Sequence, residues 1–247
     1  MKFSLVEPFS PPYIEWETRD PTQEEMIEAL GQGLPMPHSI NISPKATLAN
    51  HSSAGEFMLS EVVNNGLEFH IDNFLNSSLE FNNNIALMPQ DDPQYINAYK
   101  HCYPHCDFEK VSKDINDFGA ILADGQQLFH GGYIKFSVGD TFVLERPFST
   151  SFCPQVALRN ADWHGKAYDQ GEIHLIVLKM IAPETKAYFF SLNGELGNEK
   201  EVLIASGLNC TVISKTLIRR DFPTYKMHGL NSVRKEVPAY LIELEAQ

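Results

Sequence analysis

The stretch Asn198-Glu199-Lys200-Glu201-Val202-Leu203-Ile204 decides how this chain is read. Two carboxylates stand two residues apart at the entrance to an apolar run. On an extended strand, residues i and i+2 project from the same face. Glu199 and Glu201 are therefore expected to point together into one cleft, while Val202, Leu203 and Ile204 anchor the strand in a core. Taken alone, two acids at a strand entrance are an ordinary solvated turn, so their meaning depends on what else the chain supplies.

Two upstream segments add to it, Phe129-His130-Gly131-Gly132 and Phe148-Ser149-Thr150-Ser151. Each is expected at a strand edge. Singly these motifs carry little: hydroxyls at a strand end commonly bond backbone groups, a histidine there is often structural, and Glu-x-Glu is frequent by chance. In this order and spacing, over residues 95–245, the three segments resemble the NAD-dependent ADP-ribosyltransferase family.

The resemblance implies an α+β fold, with a helical N-terminal lobe and a mixed, antiparallel two-sheet core. It implies a division into a Pro-rich, helical extension over 1–94 and a catalytic domain over 95–247. NAD is then the co-substrate, bound in the cleft between the lobes, and ADP-ribose passes to a protein side chain as nicotinamide leaves. Cleaving the nicotinamide–ribose bond builds an oxocarbenium-like cation, as in glycoside hydrolysis, and a fixed carboxylate stabilises that charge. The resemblance gives this role to Glu201. It gives Glu199 the task of orienting the nucleophile, usually an arginine guanidinium, which a carboxylate binds in a planar fork.

By the same resemblance Ser149 holds the catalytic glutamate and the nicotinamide-side ribose, and Thr150 and Ser151 stabilise the strand edge beside it. His130 departs from the arginine-modifying branch, which has arginine there. The branch that includes diphtheria toxin and the poly-ADP-ribose polymerases has histidine, which meets the adenosine ribose, but carries tyrosine where Ser149 stands. This chain thus combines His130, Ser-Thr-Ser and Glu-x-Glu. Gly131 fits either branch, its backbone pairing with the nicotinamide carboxamide where a side chain would crowd the ring. The loop Ser191–Asn198, with Gly194 and Gly197, is expected to move and to help choose the acceptor.

Two further outcomes stay open. Water as acceptor gives an NAD glycohydrolase. A catalytically silent binding module is the other, favoured by His130 in place of arginine. Many stand-alone members of the resembled family are toxins or effectors acting on host proteins, an association by analogy.

Along the chain, residues 1–50 are proline-rich, and only 21–31 reads as a helix, with acids in its first turn and a glycine stop. Helical patterns follow at 57–63, 69–79, 93–101 and 107–123, with another at 155–163. After Gly125 the texture turns to strands: 126–130, 140–146, 172–180, 186–191, 201–205, 210–217 and 237–244.

Composition narrows the function classes. Net charge is -13, and residues 1–100 hold fourteen acidic against four basic side chains. That argues against nucleic acid as partner, which needs clustered Lys and Arg. An acidic front half can dock a basic surface or simply keep the protein solvated. No apolar run reaches the length of a membrane span, about 18 residues. The N-terminus lacks a signal-peptide core, so a cytoplasmic site of synthesis is expected, with delivery by a specialised secretion machine left open. Cys102, Cys106, Cys153 and Cys210 make no disulfide framework in a chain this long. His101-Cys102-Tyr103-Pro104-His105-Cys106 has metal-binding residue types without zinc-finger spacing, so no metal is expected. Gly-rich phosphate loops are absent, and Cys153 is expected to be a small core residue.

Overall fold

A computed structural model describes residues 1–61, 66–229 and 231–247. The chain is α+β. A short strand β1 (Tyr13–Arg19) is followed by helix α1 (Gln23–Gly31) and strand β2 (Ile40–Leu48), and then by helices α2 (His51–Glu61), α3 (Leu67–Ser77), α4 (Leu79–Ala86), α5 (Gln94–Cys102) and α6 (Phe108–Phe118). Strands β3 (Ala120–Ile121), β4 (Gln127–Gly131), β5 (Thr141–Leu144) and β6 (Phe148–Ser151) come next, then helices α7 (Pro154–Asp162) and α8 (Lys166–Gln170). The chain closes with β7 (Ile173–Met180), β8 (Lys186–Phe189), β9 (Glu201–Ile204), β10 (Leu208–His228) and β11 (Asn231–Ala246).

The strands β1 and β2 pair antiparallel as a small separate sheet. The other nine follow the order β3-β8-β9-β6-β4-β7-β11-β10-β5. Among the described residues β7 and β11 are the one parallel strand pair, from Ile173↔Ala239 to Met180↔Ala246. The nine strands meet at a narrow seam. Between β4 and β6 a single residue pair, Phe129↔Ser151, closes the ladder. On one side of it lie β3, β8, β9 and β6; on the other lie β4, β7, β11, β10 and β5. Past Phe129 and before Ser151 the two strands part, and the candidate site opens there.

Burial explains the central strands. Every residue of β7 except Lys179 is buried, and β9 is buried throughout. Strands covered on both faces read as unbroken apolar runs. Phe3, Phe81, Phe152 and Phe189 form an aromatic knot, with Phe3 and Phe189 centroids 4.2 Å apart and Phe152 5.8 Å from both Phe81 and Phe189.

Several expectations are corrected. Residues 1–50 hold β1 and β2 besides the helix at 23–31. Their ladder carries two register shifts and buries almost nothing, so no alternation marks it. The helix expected at 107–123 stops at Phe118, where Gly119 caps it, and gives way to β3. A Cβ on Gly119 would lie 2.3 Å from the Ala187 carbonyl, so the chain has to turn into the sheet at this glycine. The helix expected over 57–63 begins earlier, at His51, and its residues 62 and 63 lie outside the described residues. Strands β10 and β11 extend well past 217 and before 237, pairing with each other down to His228↔Asn231.

Candidate active site

All seven residues singled out in the sequence line one cleft of about 1010 Å³: His130, Gly131, Ser149, Thr150, Ser151, Glu199 and Glu201. The ladder β6–β9 assembles the acid side. Ser151 pairs with Glu201 and Ser149 with Leu203, so both serines and Glu201 share a face. The Ser149 hydroxyl lies on the Glu201 side of the cleft and favours its ionised carboxylate. Glu201 is only 8% exposed. Burial lifts its pKa to about 7; the Ser149 hydroxyl and Lys100 pull it down, while Glu199 and Asp92 push it up.

Glu199 is not on the strand, contrary to the i, i+2 expectation. It ends a one-turn 3-10 helix over Gly197–Glu199, and β9 begins only at Glu201. Lys200 between them has φ +51°. That left-handed residue turns the chain so that both carboxylates still reach the cleft. Burial holds the Glu199 carboxyl above the usual range, against the pull of Arg159 and Lys100.

Thr150 and Ser151 are tied to the backbone of the acid segment. Thr150 Oγ1 donates to the Val202 carbonyl at 2.6 Å, and Ser151 Oγ donates to the Glu199 carbonyl at 2.7 Å while accepting from Cys153 N at 3.0 Å.

His130 is the penultimate residue of β4, across the seam. Its Nδ1 lies 2.7 Å from the Ser149 carbonyl, and its ring packs on Phe148 with centroids 4.1 Å apart. A carbonyl only accepts, so Nδ1 carries the proton and Nε2 keeps a lone pair. Desolvation, with Lys166 nearby, lowers the ring's pKa to about 4, so it is neutral. Gly131 is glycine for a reason on the far side of the strand. A Cβ there would sit 1.6 Å from the Ala157 carbonyl of α7. The helix, packed directly against β4, leaves no room for a side chain.

The sequence reading missed the cations. Lys100 from α5 lines the same cleft, its Nζ 2.6 Å from Asp92 Oδ2 and 4.4 Å over the Phe190 ring, and its charge favours ionisation of both Glu199 and Glu201. Asp92 also accepts from the Tyr188 hydroxyl at 2.9 Å. Lys135, Arg146 and Lys166 line the cleft too, and none of them is ion-paired among the described residues; burial lowers Lys166. They come from loops and a short helix with no motif around them, so only their tertiary placement identifies them.

The loop Ser191–Asn198 is a succession of tight turns, Gly194 N to Ser191 O and Gly197 N to Gly194 O. Lys100 Nζ ties it to α5 through the Glu195 carbonyl at 3.2 Å. All four cysteines are free, and burial pushes the Cys153 thiol up to about 11, poorly suited to a nucleophile. Among the described residues no three His, Cys, Asp or Glu side chains converge on a metal position, and no helix is long and apolar enough to cross a membrane.

No protein-family model matches this sequence, and no curated protein matches it. Solved structures do match. The enzymatic component C2-I of the C2 toxin from Clostridium botulinum superposes with a TM-score of 0.41 at 10% identity, over 68% of this chain and 46% of that one. Vis toxin, an ADP-ribosyltransferase from Vibrio splendidus, gives 0.36 at 15% identity, over 93% and 88%. C3larvin toxin, an ADP-ribosyltransferase from Paenibacillus larvae, gives 0.40 at 12% identity, over 69% and 96%. The chain spans less than half the length of the C2-I structure. Whatever chemistry the cleft performs is carried by its own residues.

Proposed function

We propose that this protein is a mono-ADP-ribosyltransferase that moves ADP-ribose from NAD to a protein side chain, arginine, and releases nicotinamide. The observation that carries the proposal is the buried Glu201 carboxylate lining the cleft, with Ser149 and Glu199 in the same lining. A carboxylate kept out of water acts strongly on a positive charge that develops next to it. In this reading Glu201 stabilises the ribosyl cation and holds a ribose hydroxyl. Glu199 presents a fork to the incoming guanidinium. The neutral His130 accepts a ribose hydroxyl at Nε2, and Gly131 offers its backbone to the carboxamide. NAD supplies the ADP-ribose and the nicotinamide leaving group; the cations Lys135, Arg146 and Lys166 suit its diphosphate. A host protein as acceptor, reached through a specialised secretion machine, belongs to the same proposal.

His130 in place of arginine is the observation that favours a second reading, a silent module that binds NAD or a partner without turnover. Incubation of labelled NAD with a cell lysate separates the two, with the wild type and Glu201→Ala side by side. Labelled bands that vanish in the variant establish the transferase and identify its target. Nicotinamide release without bands indicates a glycohydrolase. Neither label nor nicotinamide overturns the enzyme.

A further inference from the structure

Lys200 stands between the two glutamates, yet its ammonium lies behind the turn, against α3. The side chain is only 1% exposed, and its Nζ is 3.2 Å from Glu68 Oε1, 3.0 Å from Asp72 Oδ1 and 2.7 Å from the Asn198 carbonyl. Glu68 is itself fixed. Arg159 of α7 grips it through two bonds of 2.8 and 2.9 Å, and its backbone N–H donates to Gln155 Oε1 at 2.8 Å. A lysine this deeply buried is rare without partners. A side-chain-bearing residue at φ +51° is costly and persists where surrounding contacts over-determine it. Leu196, at the other end of the same turn, is also left-handed, with φ +61°.

We infer that Lys200 is a positioning residue: its ion pairs with Glu68 and Asp72 pull the turn backwards, and this rotation directs Glu199 and Glu201 together into the cleft. On a plain strand, the expected alternation would place Lys200 opposite the glutamates with no fixed anchor. Here the acid segment leaves strand geometry at Gly197–Lys200, and the tether replaces the pleat as the device that aims the carboxylates. Two helices share in it, since Glu68 bridges Lys200 and Arg159. The inference rests on the proposed role of Glu201 for its catalytic consequence, but not for its structural one.

The test uses the full-length protein with Lys200→Met, Lys200→Arg and Glu68→Gln. Lys200→Met leaves Glu68 paired with Arg159 and Asp72 in reach of water, so the fold is expected to survive. Nicotinamide release should lose roughly 10²-fold in kcat with little change in KM for NAD, because a small misplacement of a reacting group has an effect of that size. Lys200→Arg should recover most of the loss, and Glu68→Gln should share the defect in part. A second readout needs no turnover: carbon-13 titration of the Glu201 carboxyl, assigned by its loss in Glu201→Gln. In Lys200→Met it should titrate lower, as water enters and Glu199 swings away. A folded Lys200→Met with an unmoved Glu201 titration overturns the positioning role, whatever the activity. A wild type that releases no nicotinamide, with the titration shifted as expected, overturns the enzymatic reading and leaves the positioning role standing. Should Lys200→Met fail to fold, the same titration in Glu68→Gln decides: an unmoved Glu201 overturns the role.

Discussion

The Nδ1 of His130 lies 2.7 Å from the carbonyl oxygen of Ser149, so the residue that departs from the arginine pattern bonds to the backbone of the motif that follows it. This bond spans the place where β4 and β6 separate beyond their single pair. The histidine is a strut across the open seam as well as a wall of the cleft.

A first prediction concerns that strut. His130→Arg should collapse activity rather than restore it. A guanidinium has no neutral form at working pH, would be desolvated where a neutral ring now sits, and would face Lys166. His130→Ala should cost about 1–3 kcal/mol of stability, the usual penalty for leaving a buried acceptor unpaired, and should raise KM for NAD. Urea denaturation and nicotinamide-release kinetics check both. Full activity in His130→Arg would mean that the position is a drifted arginine site.

Glu201 gives a second prediction, in which function and stability oppose each other. Its folded pKa of about 7 lies above the ordinary value of 4.5. Below pH 4.5 both folded and unfolded forms carry the proton and nothing is lost. As pH rises from 4.5 through about 7, the unfolded chain releases its proton first, so folding stability falls. Glu201→Gln should therefore stabilise the fold at pH 8, by on the order of 3 kcal/mol from the size of the shift, seen as a higher Tm, and have little effect at pH 4. The same variant should lose about 10²–10³-fold in turnover. Wild-type turnover should rise with pH through about 7, as the carboxylate ionises. Scanning calorimetry at the two pH values decides the stability half, and an unchanged Tm at pH 8 would refute it.

Much of the site was legible because strands impose a period. The buried runs of β7 and β9 are read directly from residue order, whereas Gly31, the expected stop of α1, is its last residue, with Gln32 as the cap and the left-handed Gly33 behind it. The seven cleft residues were found by motif, and they converge. What stayed hidden has physical causes. Helix α2 buries His51, Ala54, Gly55, Phe57, Met58 and Leu59, but its first turn is written in His, Ser, Ala and Gly, with too little apolar contrast against Ser52, Glu56 and Ser60 to mark where the helix starts. The outer parts of β10 and β11 pair only with each other, and most of their side chains are exposed. The turn at Lys200 depends on Glu68 and Asp72, more than a hundred residues away, and no local pattern announces it.

Gly131 yields a third prediction. The resemblance explains the glycine by the nicotinamide ring, whereas the structure places the missing Cβ 1.6 Å from the Ala157 carbonyl. Gly131→Ala should thus destabilise the protein without any ligand present, by about 3 kcal/mol or more, the upper range for overpacking. Ala157 cannot yield, since its carbonyl belongs to the α7 backbone. A urea midpoint equal to wild type, combined with lost NAD binding, would return the glycine to the ligand.

The last prediction separates the two glutamates. Glu199 sits on a turn, its own carbonyl accepting from Ser151 Oγ at 2.7 Å, and it lines the cleft with Glu201 without belonging to β9. If Glu199 orients the acceptor and Glu201 the ribosyl cation, Glu199→Gln should abolish transfer to a guanidinium acceptor and spare NAD hydrolysis within a few-fold. Ser151→Ala should do the same more weakly, because it frees the turn on which Glu199 rides and leaves Ser149 and Glu201 in register. The loss for Ser151→Ala should be about tenfold in transfer, the equivalent of one ordinary hydrogen bond of about 1 kcal/mol to slightly more. Both rates can be followed in one assay, nicotinamide release with and without arginine methyl ester. Equal loss of hydrolysis and transfer in Glu199→Gln would show that the two carboxylates act as one unit and would remove the acceptor role from Glu199.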